Sequence, residues 1–279
     1  MTFTDFSRFA NYLTKAHKFF ENIVKLLARP FRKARESSPA VPLRDQLATR
    51  FPDSSDSQRQ IIEAVTPFTM TSPERILALC DAVQYVHENN IAGDIVECGV
   101  WKGGSMAAVA RTLHGFDTTS RKLWMYDTFE GMSQPTENDV DLHGHAAGRM
   151  LAEADIADAE SRESIWCRCS LDNVKHTLKE TNYPESQMRF VKGKVEDTLP
   201  NESPDQIAIL RLDTDWYEST RCELEILFPK LVPGGVLIID DYGHWQGCRK
   251  AVDEHFSANN VRMFLHRVDY TGRLGIKTA

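Results

Sequence analysis

The stretch from Ile207 to Tyr242, IAILRLDTDWYESTRCELEILFPKLVPGGVLIIDDY, constrains the fold more than any other part of the chain. Ile207 to Leu210 is a short apolar run that passes through Arg211-Leu212 into Asp213, the pattern of a strand buried on both faces. Leu224, Leu227, Phe228 and Leu231 then recur at helical spacing, and Pro233-Gly234-Gly235 is expected to end that helix. Val236 to Ile239 reads as a second buried strand. Strand, helix and strand in succession imply a parallel pair, whose C-terminal ends border the ligand crevice of an open α/β sheet. Both strands run into carboxylates there: Asp213 and Asp215 after the first, Asp240 and Asp241 after the second. Four like charges at one rim require a cation between them or protons on some of them. Hard oxygen donors at this density favour Mg²⁺ or a similar ion. The plainer alternative makes them helix caps and solvated loop ends.

The rest of the chain fits around this unit. Ser72-Pro73-Glu74 starts a helix, with an N-cap Ser, Pro at the first helical position and an acid in the first turn. Ile76, Leu77, Cys80, Val83 and Val86 give it an apolar face. Asp94 to Cys98 is the first expected strand. It leads into Glu97-Cys98-Gly99-Val100-Trp101-Lys102-Gly103-Gly104-Ser105, where glycines permit a tight turn before a helix near Ser105. The spacing is not a strict GxGxxG, and no GK[ST] makes it a phosphate-binding P-loop. The second strand, Lys122 to Tyr126, ends at Asp127, an acid where a cofactor ribose is commonly held. As a bare turn, the same Asp would be a helix cap. Residues 132–165 are polar, show no strand pattern and contain His143 and His145; a long excursion at this rim is expected to be an active-site lid. Further strands are expected at Met188 to Val191, Arg262 to His266 and Arg273 to Lys277.

Charge and composition narrow the functional classes. The net charge of −7 argues against a general nucleic-acid binder. No apolar run is long enough to span a bilayer, and the N-terminus lacks the compact apolar core of a signal peptide. The six cysteines form no CxxC pairs and read as reduced thiols of a cytoplasmic protein. Residues 1–44 stand apart. Within residues 1–35 eight Lys and Arg face only Asp5 and Glu21, a net +6 that leaves −13 for the remainder of the chain. Residues 1–29 also place aromatic and aliphatic side chains at helical spacing. They are expected to form a basic amphipathic extension that supports a homo-oligomer, with weak membrane-surface contact as the alternative.

The motifs VECGVWKGGS, YDTFEGM, FVKGKVEDTLP, LRLDTDWYEST and PGGVLIIDDYGHW, in this order, resemble the macrocin O-methyltransferase (TylF-type) family over about residues 60–279. The resemblance implies a class I methyltransferase fold: a Rossmann-like, doubly wound, seven-stranded α/β sheet, here with an N-terminal helical extension. It implies an S-adenosylmethionine- and Mg²⁺-dependent enzyme that methylates sugar hydroxyls of natural products. Carried over residue by residue, the metal ligands are Asp213, Asp240 and Asp241, and the base is Asp215; His143 and His145, which the resemblance does not cover, are rivals because a His on a closing lid could take the same proton. The cofactor positions are Glu97, Gly99, Gly103, Ser105, Asp127, Gly193, Glu196 and Asp197. Three other readings stay open: a catechol-type O-methyltransferase, a nicotinamide-dependent oxidoreductase, and a non-catalytic cofactor-binding module.

Overall fold

The computed structural model describes residues 41–278. Two compact units divide the chain, residues 1–46 and 47–279. Little of the first is described: its last residues begin helix α1 (Leu43–Arg50). The basic helices expected at residues 1–29, and the assembly role assigned to them, lie outside the described residues.

The second unit opens with helix α2 (Asp56–Val65), where Ser55 and Gln58 form a reciprocal capping box. Helix α3 (Pro73–Glu88) starts as its sequence dictates, with Ser72 Oγ accepting from Arg75 N. The alternating part then runs β1 (Asp94–Cys98), α4 (Gly104–Gly115), β2 (Leu123–Asp127), α5 (Ala147–Glu153), α6 (Leu171–Lys179) and β3 (Met188–Lys192). It continues with α7 (Val195–Thr198), β4 (Ile207–Leu212), α8 (Tyr217–Leu227), β5 (Leu231–Ile239) and α9 (Gln246–Ala258), and closes on β6 (His266–Arg267) and β7 (Arg273–Ile276). The seven strands lie in the order β3-β2-β1-β4-β5-β7-β6. β1 to β5 are mutually parallel, and β7 runs antiparallel between β5 and β6.

Helices cover both faces of the sheet, so the central strands are buried on both sides; β4 is buried at every position. One core cluster packs α3, α4 and α6 against one face through Val83, Val109, Leu178 and Ile209. The other packs α8 and α9 against the opposite face through Leu224, Val252, Leu210 and Leu237. The strands diverge in order between β1 and β4. Chain reversal there opens a crevice above the strand ends.

Two element boundaries differ from the sequence reading. Leu231 does not extend the preceding helix: α8 stops at Leu227, Pro229 sits in a 3₁₀ turn, and Leu231 opens β5. Pro-Gly-Gly therefore lies inside the strand, where pairing with β4 shifts register between Ile207 and Ile209. The strand expected over Arg262 to His266 is confined to His266 and Arg267 at the sheet edge, and Phe264 is 82% exposed.

Candidate active site

A cavity of about 420 Å³ lies over the C-terminal ends of the parallel strands. At one end it is lined by Gly99, Val100, Trp101, Gly104, Ser105, Asp127, Gly193 and Glu196. At the other it is lined by Thr71, Arg75, Asp213, Asp215, Asp240, Asp241, His244 and Tyr270.

The first end is built from backbone. Gly99 has φ +83°, and a Cβ there would lie 1.9 Å from the Asp213 carbonyl oxygen, so only glycine lets the β1 and β4 loops touch. Asp213 N donates to Cys98 O at 2.8 Å across the same junction. Asp127 then joins β2 to the glycine loop. Its Oδ2 accepts from Val100 N at 2.7 Å and Trp101 N at 3.1 Å, and its Oδ1 accepts from Phe129 N at 2.7 Å and Thr128 Oγ1 at 3.4 Å. These donors pull its pKa down, yet burial outweighs them and leaves it above the usual carboxylate range. Trp101 and Phe129 have positive φ without being glycine, strain that the carboxylate holds in place.

The second end is built from side-chain charge. Arg211 sits in buried β4, opposite Glu97 in the β1 register, and is 4% exposed. Its Nη1 donates to Glu97 Oε1 at 2.5 Å and to Asp213 Oδ2 at 2.7 Å. Its Nη2 reaches Thr71 Oγ1 at 2.9 Å and Asp240 Oδ2 at 2.8 Å. Arg75, from the first turn of α3, also pairs with Asp240 Oδ2 and donates from Nε to Asp269 Oδ2 at 3.0 Å. Two guanidinium groups thus hold carboxylates from β1, β4, β5 and the β6–β7 turn. Their compensation is incomplete: Glu97 Oε2, Asp240 Oδ1 and Asp241 Oδ2 are buried with no hydrogen-bond partner. Burial, opposed by Arg211, leaves Glu97 raised to about 7. Asp215 has φ +67° and is hydrogen-bonded to Asp241 and Trp245; burial and the nearby Asp213 charge raise it to about 8. Asp241 is raised as well, by burial and then by the charges of Asp215 and Asp240.

Among the described residues, no group of three or more His, Cys, Asp or Glu side chains is arranged so that it could hold a metal ion as it stands. In chemical type the donors are those a hard divalent cation takes: Asp213, Asp240 and Asp241 line one cavity, and Asp240 Oδ1 and Asp241 Oδ2 are buried oxygens that nothing satisfies.

Nine of the residues singled out from sequence line the cavity: Gly99, Ser105, Asp127, Gly193, Glu196, Asp213, Asp215, Asp240 and Asp241. Five do not. Glu97 lies beneath the floor, paired with Arg211. Gly103 has φ +83°, caps α4 and packs on Val174 and Leu178 of α6. Asp197 lies within α7. His143 and His145 are exposed, and both of their backbone N–H groups donate to Asp141 Oδ1 at 2.8 Å. The segment expected to be a lid is hydrogen-bonded to the rest of the site at several points. Buried Asp139 accepts from Tyr217 N at 2.7 Å, Gln246 N donates to Val140 O at 2.9 Å, and Trp216 Nε1 donates to Ser133 O at 3.0 Å. Its Met132, Ser133, Met150 and residues 162–165 form a wall of the cavity.

Sequence reading missed Arg75, Arg211, His244 and Tyr270. Arg211 did leave a signal, a charge inside an apolar run with both faces buried, which must be paired to be tolerated. Arg75 and Tyr270 left none, since their roles depend on where distant segments meet; His244 lies inside the PGGVLIIDDYGHW motif, three residues after Asp241.

Residues 57–274 match the family model for macrocin-O-methyltransferase (TylF). The chain is 34% identical over 204 residues to demethyldecarbamoylnovobiocin O-methyltransferase of Streptomyces niveus, covering 73% of each chain. It is equally similar to 8-demethyl-8-(2,3-dimethoxy-alpha-L-rhamnosyl)-tetracenomycin-C 4'-O-methyltransferase of Streptomyces olivaceus, again 34% over 204 residues and 73% of each. Among solved structures, the O-methyltransferase NovP superposes with a TM-score of 0.65 at 32% identity, covering 76% of this chain and 83% of that one. Calicheamicin methyltransferase CalS11 shares the fold, with a TM-score of 0.55 at 16% identity over 81% of this chain and 93% of that one.

Proposed function

Since the chain belongs to the macrocin-O-methyltransferase (TylF) family and is an S-adenosylmethionine-dependent O-methyltransferase, we propose that it methylates one hydroxyl of a vicinal diol on a sugar-bearing natural product, with Mg²⁺ or a similar cation at Asp213, Asp240 and Asp241. This decides against a nicotinamide-dependent oxidoreductase. The observation that carries the proposal is the pair of buried, unpartnered oxygens on Asp240 and Asp241, in the same cavity as the Asp127 loop. Each unsatisfied buried acceptor costs about 1–3 kcal/mol, so a ligand that completes both is favoured.

When bound, the cation supplies Lewis acidity toward an acceptor hydroxyl, and S-adenosylmethionine supplies the methyl group. The protein's residues do the rest. Arg211 and Arg75 fix Asp240 through Oδ2 and leave its buried Oδ1 without a partner. Asp213 is anchored by Arg211 at Oδ2. Asp215 lines the same cavity, hydrogen-bonded to Asp241 and Trp245, and is the carboxylate placed beside these ligands to take the hydroxyl proton. Met132, Met150, Ile165 and Trp216 give the cavity apolar walls that exclude water and restrict the acceptor's approach.

The test is transfer of labelled methyl from S-adenosylmethionine to demethyldecarbamoylnovobiocin and to methyl α-L-rhamnopyranoside. Turnover is expected to stop in EDTA and return with Mg²⁺. Full turnover by chelated enzyme would remove the cation from the proposal, and methylation of catechol alone would move the acceptor class.

A further inference from the structure

The turn between β6 and β7 is fastened to the acid loop after β5. Thr271 Oγ1 donates to Asp240 O at 2.7 Å, and Gly243 N donates to Thr271 O at 2.9 Å. A Cβ on Gly243 would lie 2.1 Å from Tyr270 O, so the two segments are in backbone contact. Asp269 secures the turn from its other side, accepting from Ser72 Oγ at 2.8 Å and Arg75 Nε at 3.0 Å. The turn is therefore rigid, and at its tip it presents Tyr270, 60% exposed at the cavity mouth. The His244 ring stands edge-on to the Tyr270 ring, with centroids 6.0 Å apart, and its Nδ1 lies 3.4 Å from the Tyr270 hydroxyl. Trp245 backs His244 in turn, at 5.0 Å.

The Tyr270 ring meets His244 at one edge and leaves most of its surface open beside a set of acids at the cavity mouth. The acids suit hydroxyl groups, and the ring suits an apolar face. A pyranose offers both, with hydroxyls at its edge and C–H groups on its face. We propose that Tyr270, set in place by His244, is the platform on which the acceptor sugar ring stacks, with its hydroxyl edge directed to the Asp213, Asp240 and Asp241 end of the cavity. This inference rests on the sugar-methylating reading above and names the specificity-determining contact for it.

The probe is methyl α-L-rhamnopyranoside, which has no aromatic protons, added to enzyme saturated with S-adenosylhomocysteine and Mg²⁺. Saturating the protein's aromatic resonances in a difference NMR experiment is expected to transfer signal to the sugar ring C–H protons. Tyr270→Ala should raise the glycoside Kd about tenfold and remove that transfer, whereas Tyr270→Phe should keep both, since the stacking face survives. Affinity for S-adenosylhomocysteine should be the same in all three proteins, and because the side chain is exposed their Tm should agree. Equal glycoside binding by wild type and Tyr270→Ala would overturn the platform, as would a wild type that binds S-adenosylhomocysteine but no glycoside. A wild type that binds no S-adenosylhomocysteine would instead strike the function proposed above, and the platform with it.

Discussion

The two ends of the cavity hold carboxylates in opposite ways. At the glycine-loop end, Asp127 fills both oxygens with four donors, three of them backbone N–H groups of its own and the adjoining loop. At the acid end, Asp240 and Asp241 each keep a buried oxygen with no partner, although Arg75 and Arg211 stand beside Asp240. The first end is finished before any ligand arrives, so its acid acts first as a fastener of backbone. The second end stores unsatisfied charge that a ligand can complete.

The largest expected effect lies at the unfinished end. Asp240→Ala or Asp241→Ala should lower kcat on the order of a hundredfold or more, since cation assistance is worth several kcal/mol. S-adenosylhomocysteine affinity, measured by calorimetry, should hardly move. A parallel loss of both would show that the two ends are one site and break the contrast. Next comes Arg211→Met, which strands the acids it pairs. Removing one partner of a buried ion pair costs about 3–5 kcal/mol, equivalent to a Tm lower by roughly 10 °C for a domain of this size. An unchanged melting curve would mean that protonation, not Arg211, neutralises these acids.

Smaller still is Asp127→Asn, in which an amide that donates replaces an oxygen that accepts. Loss of charge-assisted backbone bonds should cost about 2–3 kcal/mol, seen as a lower Tm, and should weaken S-adenosylhomocysteine binding about tenfold. Weaker binding with no loss of stability would assign Asp127 to ribose recognition alone and sharpen the comparison in that direction. His143→Ala and His145→Ala come last. Both side chains are exposed and neither lines the cavity. Stability should stay within about 0.5 kcal/mol of wild type for His143→Ala and fall by up to about 1 kcal/mol for His145→Ala, whose Nδ1 lies 3.0 Å from Asp141 Oδ2, and kcat should be unchanged, whereas a tenfold drop in kcat would return one of them to the role of base.

Sequence alone determined the alternation of buried strands and helices, the rim on which the acids gather, and the glycine turn that follows β1. Each of these follows from local chemistry. An apolar run of this length has to be covered on both faces, Ser72-Pro73 can only start a helix, and the strand ends of a parallel sheet face the same way. The sheet order places β1 beside β4, and so brings the Cys98–Gly99 turn against Asp213, as doubly wound topology requires. Tertiary structure decided the rest. Whether Asp127 was a free ligand or a fastener depended on which N–H groups reached it, and those belong to the β1 loop, 26 and 27 residues away. The segment expected to be a lid is tied to the body because Asp139 meets the backbone of α8, 78 residues away. Arg75 and Tyr270 joined the site only because α3 and the last hairpin meet at Asp269, 194 residues from Arg75 along the chain. Local sequence sets what a segment can become, but a partner that far away is chosen by packing, and no periodicity or spacing in the chain records it.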